Sequence, residues 1–149
     1  MDAIPDSAFR LDVYRSILET GRVPAIADLV ILRGEDAASV REALKRLSAI
    51  HALVLDADGE IAMAHPFSAT PTGYTVDTGQ ATFFANCAWD ALAIPAMMKW
   101  TARVAARCAC ECAEPMPLEF VNGALCPGDG AVVHFAVPPR RFYDDIRFT

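Results

Sequence analysis

The sequence predicts an α+β fold, with N-terminal helices and a β-hairpin preceding a mixed or antiparallel sheet packed with one further helix. Three observations predict it. From Asp6 to Ala49 apolar residues recur at helical spacing in three blocks, broken at Gly21 and Gly34. Beyond Ala49 the pattern changes to short apolar runs bounded by Gly, Asp and Pro, the mark of strands and turns. Among those runs a single stretch, Phe83 to Trp100, returns to a helical pattern.

The first block, Asp6 to Thr20, takes Asp6 or Ser7 as its cap, sets Phe9, Val13, Tyr14, Ile17 and Leu18 on one face, and stops at Gly21. A shorter helix follows from Pro24 to about Leu32, with Pro24 near its first position and Gly34 closing it. The third, Asp36 to Ala49, turns Val40, Leu44 and Leu47 inward and Arg41, Glu42, Lys45 and Arg46 outward. Ala52 to Leu55 and Glu60 to Ala64 flank Asp56-Ala57-Asp58-Gly59, a hairpin signal. Three helices followed by a hairpin is the order of a winged helix-turn-helix, so residues 1–65 read as a winged-helix-like module. Residues 66–73, with Pro66, Pro71 and Gly73, read as a linker, and 74–149 as the second portion.

In that portion Tyr74 to Asp77 and Ala81 to Phe84 form a hairpin around Thr78-Gly79, delivering the chain to Cys87. Pro95 lies inside the helical pattern and is expected to bend or end it. Thr101 to Ala106 reads as a strand leading to Cys108. Pro117 to Asn122 and Val132 to Val137 read as antiparallel strands on either side of Pro127-Gly128-Asp129-Gly130, and Arg140 to Thr149 begins a new element.

A chain of 149 residues holds one ordinary domain, or two small ones sharing a core. Although 54% of residues are hydrophobic, no uncharged stretch approaches the roughly 18 residues of a membrane span, and the N-terminus lacks a secretory pattern, so a cytoplasmic location is expected. A net charge of -6 disfavours nucleic-acid binding, and Glu35, Asp36 and Glu42 offset the bases of the third helix. Five cysteines are an odd number, so at least one is unpaired, and in a cytoplasmic setting all are read as metal-binding or reactive thiols before disulfides.

The chemistry is concentrated at Cys87 and Asp90. On a helix their i,i+3 spacing puts thiol and carboxyl on one face, where one metal or one polarised bond can meet both. Apolar neighbours from Ala88 to Ile94 push the carboxyl toward its protonated form, a proton donor near neutral pH. A helix start should favour thiolate at Cys87. Cys108, Cys110 and Cys112 form a second thiol group; in an extended chain they share one side, but C-x-C-x-C is not a common zinc spacing, leaving an adventitious soft-metal patch or plain structural cysteines. His65 reads as a loop residue, His134 as a buried hydrogen-bonded ring, Phe83 as core, and Met97 and Met98 as packing.

The run NCAWDALAIPAMMKWTARVAARC, with Cys87, Asp90, Pro95, Thr101 to Val104 and Cys108, resembles the active-site region of the organomercurial lyase (alkylmercury lyase) family. The resemblance implies protonolysis of a carbon–mercury bond to a hydrocarbon and Hg(II). Cys87 would capture the organomercurial, and Asp90 would carry the proton to carbon and then help hold the metal. Mercury is then substrate and product, and no cofactor is required. The implied partners are organomercurial small molecules, low-molecular-weight thiols and a mercuric reductase receiving the metal, with no nucleic acid and no membrane. Cys108 has a non-catalytic counterpart in the family.

The family's second catalytic cysteine falls at the place following Phe148-Thr149, and none of the five cysteines aligns with it. On that count the chain is expected to bind mercury compounds and to cleave them poorly. Two rival functions fit the same residues: a non-enzymatic soft-metal or organomercurial-binding protein, and a metal-responsive winged-helix DNA-binding regulator.

Overall fold

Residues 6–108, 112–127, 130, 132–135 and 137–146 are described by the structure, a computed structural model. The three N-terminal blocks are helices α1 (Ser7–Thr20), α2 (Ile26–Arg33) and α3 (Ala37–Ala49). α1 buries Phe9, Val13 and Ile17 and α3 buries Val40, Leu44 and Leu47 from the faces their spacing predicts, with Ala43 added on α3, while α2, for which no face is predicted, buries Ile26 and Leu29. Leu18, expected inside, is at the margin of the face and exposed. Asp36 caps α3 by accepting from the amides of Ala38 and Ser39. Asp6 stands at the cap of α1 but gives its carboxylate to Arg46 of α3, joining the two helices. Arg33 likewise pairs with Asp12 of α1 and with Glu35.

After α3 come β1 (Val54–Leu55), β2 (Ile61–Ala64) and β3 (Phe67–Ser68), an antiparallel sheet in the order β1-β2-β3. Asp56 closes the first turn by accepting from the amides of Asp58 and Glu60. β3 lies within the crossing segment 66–73, and its Phe67 is buried and bridges to Ala85.

The second sheet has β4 (Thr75–Asp77), β5 (Thr82–Phe84), β6 (Ala102–Arg107), β7 (Pro115–Val121) and β8 (Ala124–Leu125), in the spatial order β5-β4-β6-β7-β8 with every pairing antiparallel. Helix α4 (Ala88–Met98) crosses from β5 to β6, burying Ala91, Ile94 and Pro95 against β4 and β6. The helix continues past Pro95 and ends where Lys99 takes a left-handed backbone, φ 54°. Met97 and Met98 lie in this last turn on the outer side, 62% and 37% exposed, so they are surface residues and not the core packing expected of them.

The expected strand over Val132 to Val137 is not observed: residues 132–135 have no regular structure, and Val132 is 86% exposed. The partner of β7 is instead β8, reached through Asn122-Gly123. Both residues have left-handed backbones, φ 51° and 81°, as a tight two-residue hairpin requires. His134, freed from any sheet, is exposed, not buried as expected. The Pro127–Gly130 turn falls partly outside the described residues. A 3-10 helix, Pro139–Asp144, is the last element.

Candidate functional site

The start of α4 is held from both sides. β5 ends at Phe84, Ala85 donates its amide to Tyr74 O, and Asn86 donates its amide to Pro66 O, so the chain enters α4 from a fixed point between the two sheets. Cys87 is the N-cap, with extended backbone (φ -151°, ψ 178°), and Asp90 lies in the first turn. Both line one cavity of about 460 Å³, together with Asn86, His65, Tyr74 and Tyr143.

Asp90 is half-buried, and Asn86 Nδ2 donates to its Oδ2 at 3.1 Å. Burial raises the Asp90 pKa above the carboxylate value of 3.8; the Asn86 hydrogen bond, the nearby His65 and the Cys87 thiol oppose that rise without cancelling it. The expectation of a carboxyl tending to its protonated form therefore holds. For Cys87 the expectation is reversed. Burial raises its pKa above 9.0, and the charge of Asp90 adds to the rise. The amides of Asp90 and Trp89 draw the thiol the other way, but no capping hydrogen bond forms and burial prevails. At neutral pH the thiol keeps its proton.

His65, read as an ordinary loop residue, belongs to the cavity. Burial lowers its pKa, with Asp90 opposing and Arg10 assisting. Tyr143 faces it: the hydroxyl lies 3.5 Å from His65 Nε2 and donates to His51 O at 3.2 Å. Burial raises the Tyr143 pKa. Asn86 is not read from the sequence as a site residue, although its i,i+4 spacing to Asp90 is a signal that could have found it. Tyr143 was not legible, because it arrives from far along the chain.

Of the second thiol group, the described residues Cys108 and Cys112 do not line this cavity. Cys108 follows β6 and donates its amide to Glu114 O, Cys110 lies outside the described residues, and Cys112 is disulfide-bonded. The reading of the cysteines as thiols before disulfides is thus corrected at Cys112. Among the described residues no group of three or more His, Cys, Asp or Glu is placed to hold a metal ion. Thiol and carboxyl together could offer two donors to a soft metal of low coordination number.

The family model for alkylmercury lyase matches residues 67–148, a span that begins at β3 and includes Cys87 and Asp90. Among solved structures, the chain is similar to one titled as the mercury-bound form of MerB2, at a TM-score of 0.60 and 25% sequence identity, covering 79% of this chain. The similarity covers 58% of the length of that protein. No curated protein matches.

Proposed function

This chain belongs to the alkylmercury lyase family, and on that premise we propose that it cleaves carbon–mercury bonds by protonolysis, releasing a hydrocarbon and retaining Hg(II). The observation that carries the reading is the pairing, in one cavity, of a protonated thiol with a carboxyl whose pKa is raised by burial.

In the proposed sequence, the organomercurial arrives as its complex with a low-molecular-weight thiolate; mercury forms a bond to Cys87 Sγ, its bond to that thiolate breaks and the thiolate leaves, and the Cys87 proton passes to the Asp90 carboxylate. The raised pKa suits Asp90 to hold it. Asp90 then gives the proton to carbon; the electron pair of the carbon–mercury bond becomes the carbon–hydrogen bond, and Hg(II) is left on Cys87 sulfur and the Asp90 carboxylate. Asn86, already bonded to Asp90, orients the carboxyl toward the thiol side of the cavity. Burial removes competing water and strengthens each of these interactions. Low-molecular-weight thiols would bring the organomercurial and carry Hg(II) away, toward a reductase, and the step requires no cofactor.

The test is hydrocarbon release from an arylmercurial, followed by gas chromatography. The intact chain should release benzene from phenylmercury, Asp90→Asn should lose about 10²- to 10⁴-fold in rate while still binding the mercurial, and Cys87→Ser should lose both properties. Capture without benzene would leave a binding protein, and an Asp90→Asn variant as fast as the parent would end the proton-donor role.

A further inference from the structure

The cavity has two sides of different character. On one, Tyr143 packs against His51 with the rings tilted by 39° and their centroids 4.0 Å apart, and its hydroxyl faces His65. On the other, three aromatic rings form a row: Trp89 to Phe135 at 6.0 Å and Phe135 to Phe142 at 5.6 Å. All three line the same cavity as Cys87 and Asp90. Trp89 immediately precedes Asp90, so the row begins beside the proton donor. Trp89 is 56% exposed and Phe135 39%, leaving apolar ring surface on a wall of the cavity for an occupant to pack against.

We propose that the Trp89–Phe135–Phe142 row is the subsite for the organic group of the substrate and that it selects a flat aromatic group, an arylmercurial, over a small alkyl one. The inference rests on the lyase reading for the identity of the bond at Cys87. With mercury on the Cys87 sulfur, the carbon substituent must leave the Cys87–Asp90 end of the cavity, and the row is the apolar wall next to it. A ring packed edge or face against aromatic partners gains specific contact energy beyond simple area, whereas a methyl group has no ring with which to make those contacts. A flexible butyl chain covers area but lacks the ring contacts.

The experiment uses the full chain in excess low-molecular-weight thiol and measures, before turnover, the concentrations of phenyl-, n-butyl- and methylmercury that half-protect Cys87 from alkylation. Phenylmercury should protect at about tenfold lower concentration than methylmercury, and also below n-butylmercury. Trp89→Ala, at an exposed position whose loss should leave folding intact, and Phe142→Leu, which keeps bulk without the ring, should each shrink the phenyl advantage to about twofold and leave methylmercury unchanged. Equal protection by all three compounds, or variants that shift all three alike, would overturn the subsite. Hydrocarbon release is followed separately: its absence would defeat the lyase reading while the protection ratios still decide the subsite.

Discussion

Cys87 and Asp90 titrate against each other, and the direction of each shift gives a prediction. Asp90 keeps a proton more readily in the fold than in the unfolded chain. Its contribution to stability is therefore fully present below the unfolded value, near 3.8, and is lost as pH rises through the folded value. Where the carboxyl is ionised it opposes folding, so Asp90→Asn should gain stability relative to the parent as pH rises from acid to neutral. Denaturant midpoints at neutral and at acid pH check it; a variant with no such gain would contradict the desolvation argument. Cys87 shares the cost. Because the charge on Asp90 raises the thiol pKa, Asp90→Asn should move the pH midpoint for alkylation of Cys87 downward, from a starting point above the ordinary thiol value of 9.0. Peptide mapping after brief alkylation across a pH series reads that midpoint, and an unmoved midpoint would uncouple the pair. Taken together, these shifts describe a site that is most stable with both protons in place.

The hairpin between β7 and β8 bears on α4 through one glycine. Gly123 donates its amide to Trp100 O, and a Cβ on it would lie 2.8 Å from Lys99 Cα and 3.1 Å from Pro95 O, with φ at +81°. Both obstacles are backbone and cannot swing aside, so Gly123→Ala should cost about 2–4 kcal/mol of stability, seen as a lower denaturant midpoint with an unchanged slope. The same hairpin marks where sequence reading succeeded and failed. The helices were legible because their apolar faces repeat over many residues and Gly21 and Gly34 end two of them cleanly. β4, β5 and β6 were legible from short runs between turn residues. Asn122-Gly123 was also a hairpin signal, but the glycine-rich stretch at Pro127–Gly130 competed with it, and the longer apolar run after that stretch drew the pairing to the wrong partner. Within the site, Cys87 and Asp90 were visible from spacing and resemblance, whereas the state of the thiol was not. Helix position is local and can be read from sequence; the cavity around Cys87 is also lined by His65, Tyr143 and Phe142, which come from well before and well after α4 in the chain.

The helical N-terminal part and the sheet part share one core. Its buried members run from Phe9 on α1 through Phe67 on β3 and Val76 on β4 to Phe120 on β7. A chain of aromatic contacts crosses the same path: Tyr14 to Phe67 at 6.5 Å, Phe67 to Phe83 at 5.5 Å, and Phe83 stacked on Trp100 at 5.3 Å. Tyr14 adds a hydrogen bond from its hydroxyl to His65 O at 2.7 Å, fixing the segment that lines the cavity to α1. Continuity of this kind predicts one unfolding transition for both parts. The chain offers a convenient pair of probes, because both tryptophans, Trp89 and Trp100, lie in the sheet part, while most of the helix that dominates far-ultraviolet circular dichroism lies in α1, α2 and α3. Fluorescence and circular dichroism should give the same denaturation curve. Tyr14→Phe should move both curves together by about 1 kcal/mol, the usual net value of such a hydrogen bond, because the lost contact belongs to the common core. If circular dichroism fell first and Trp100 fluorescence later, the helices would be a separable module, and the geometry of Cys87 and Asp90 would not depend on them. Coincident curves would mean that α1 helps hold the cavity in shape through His65, even though no α1 residue lines it.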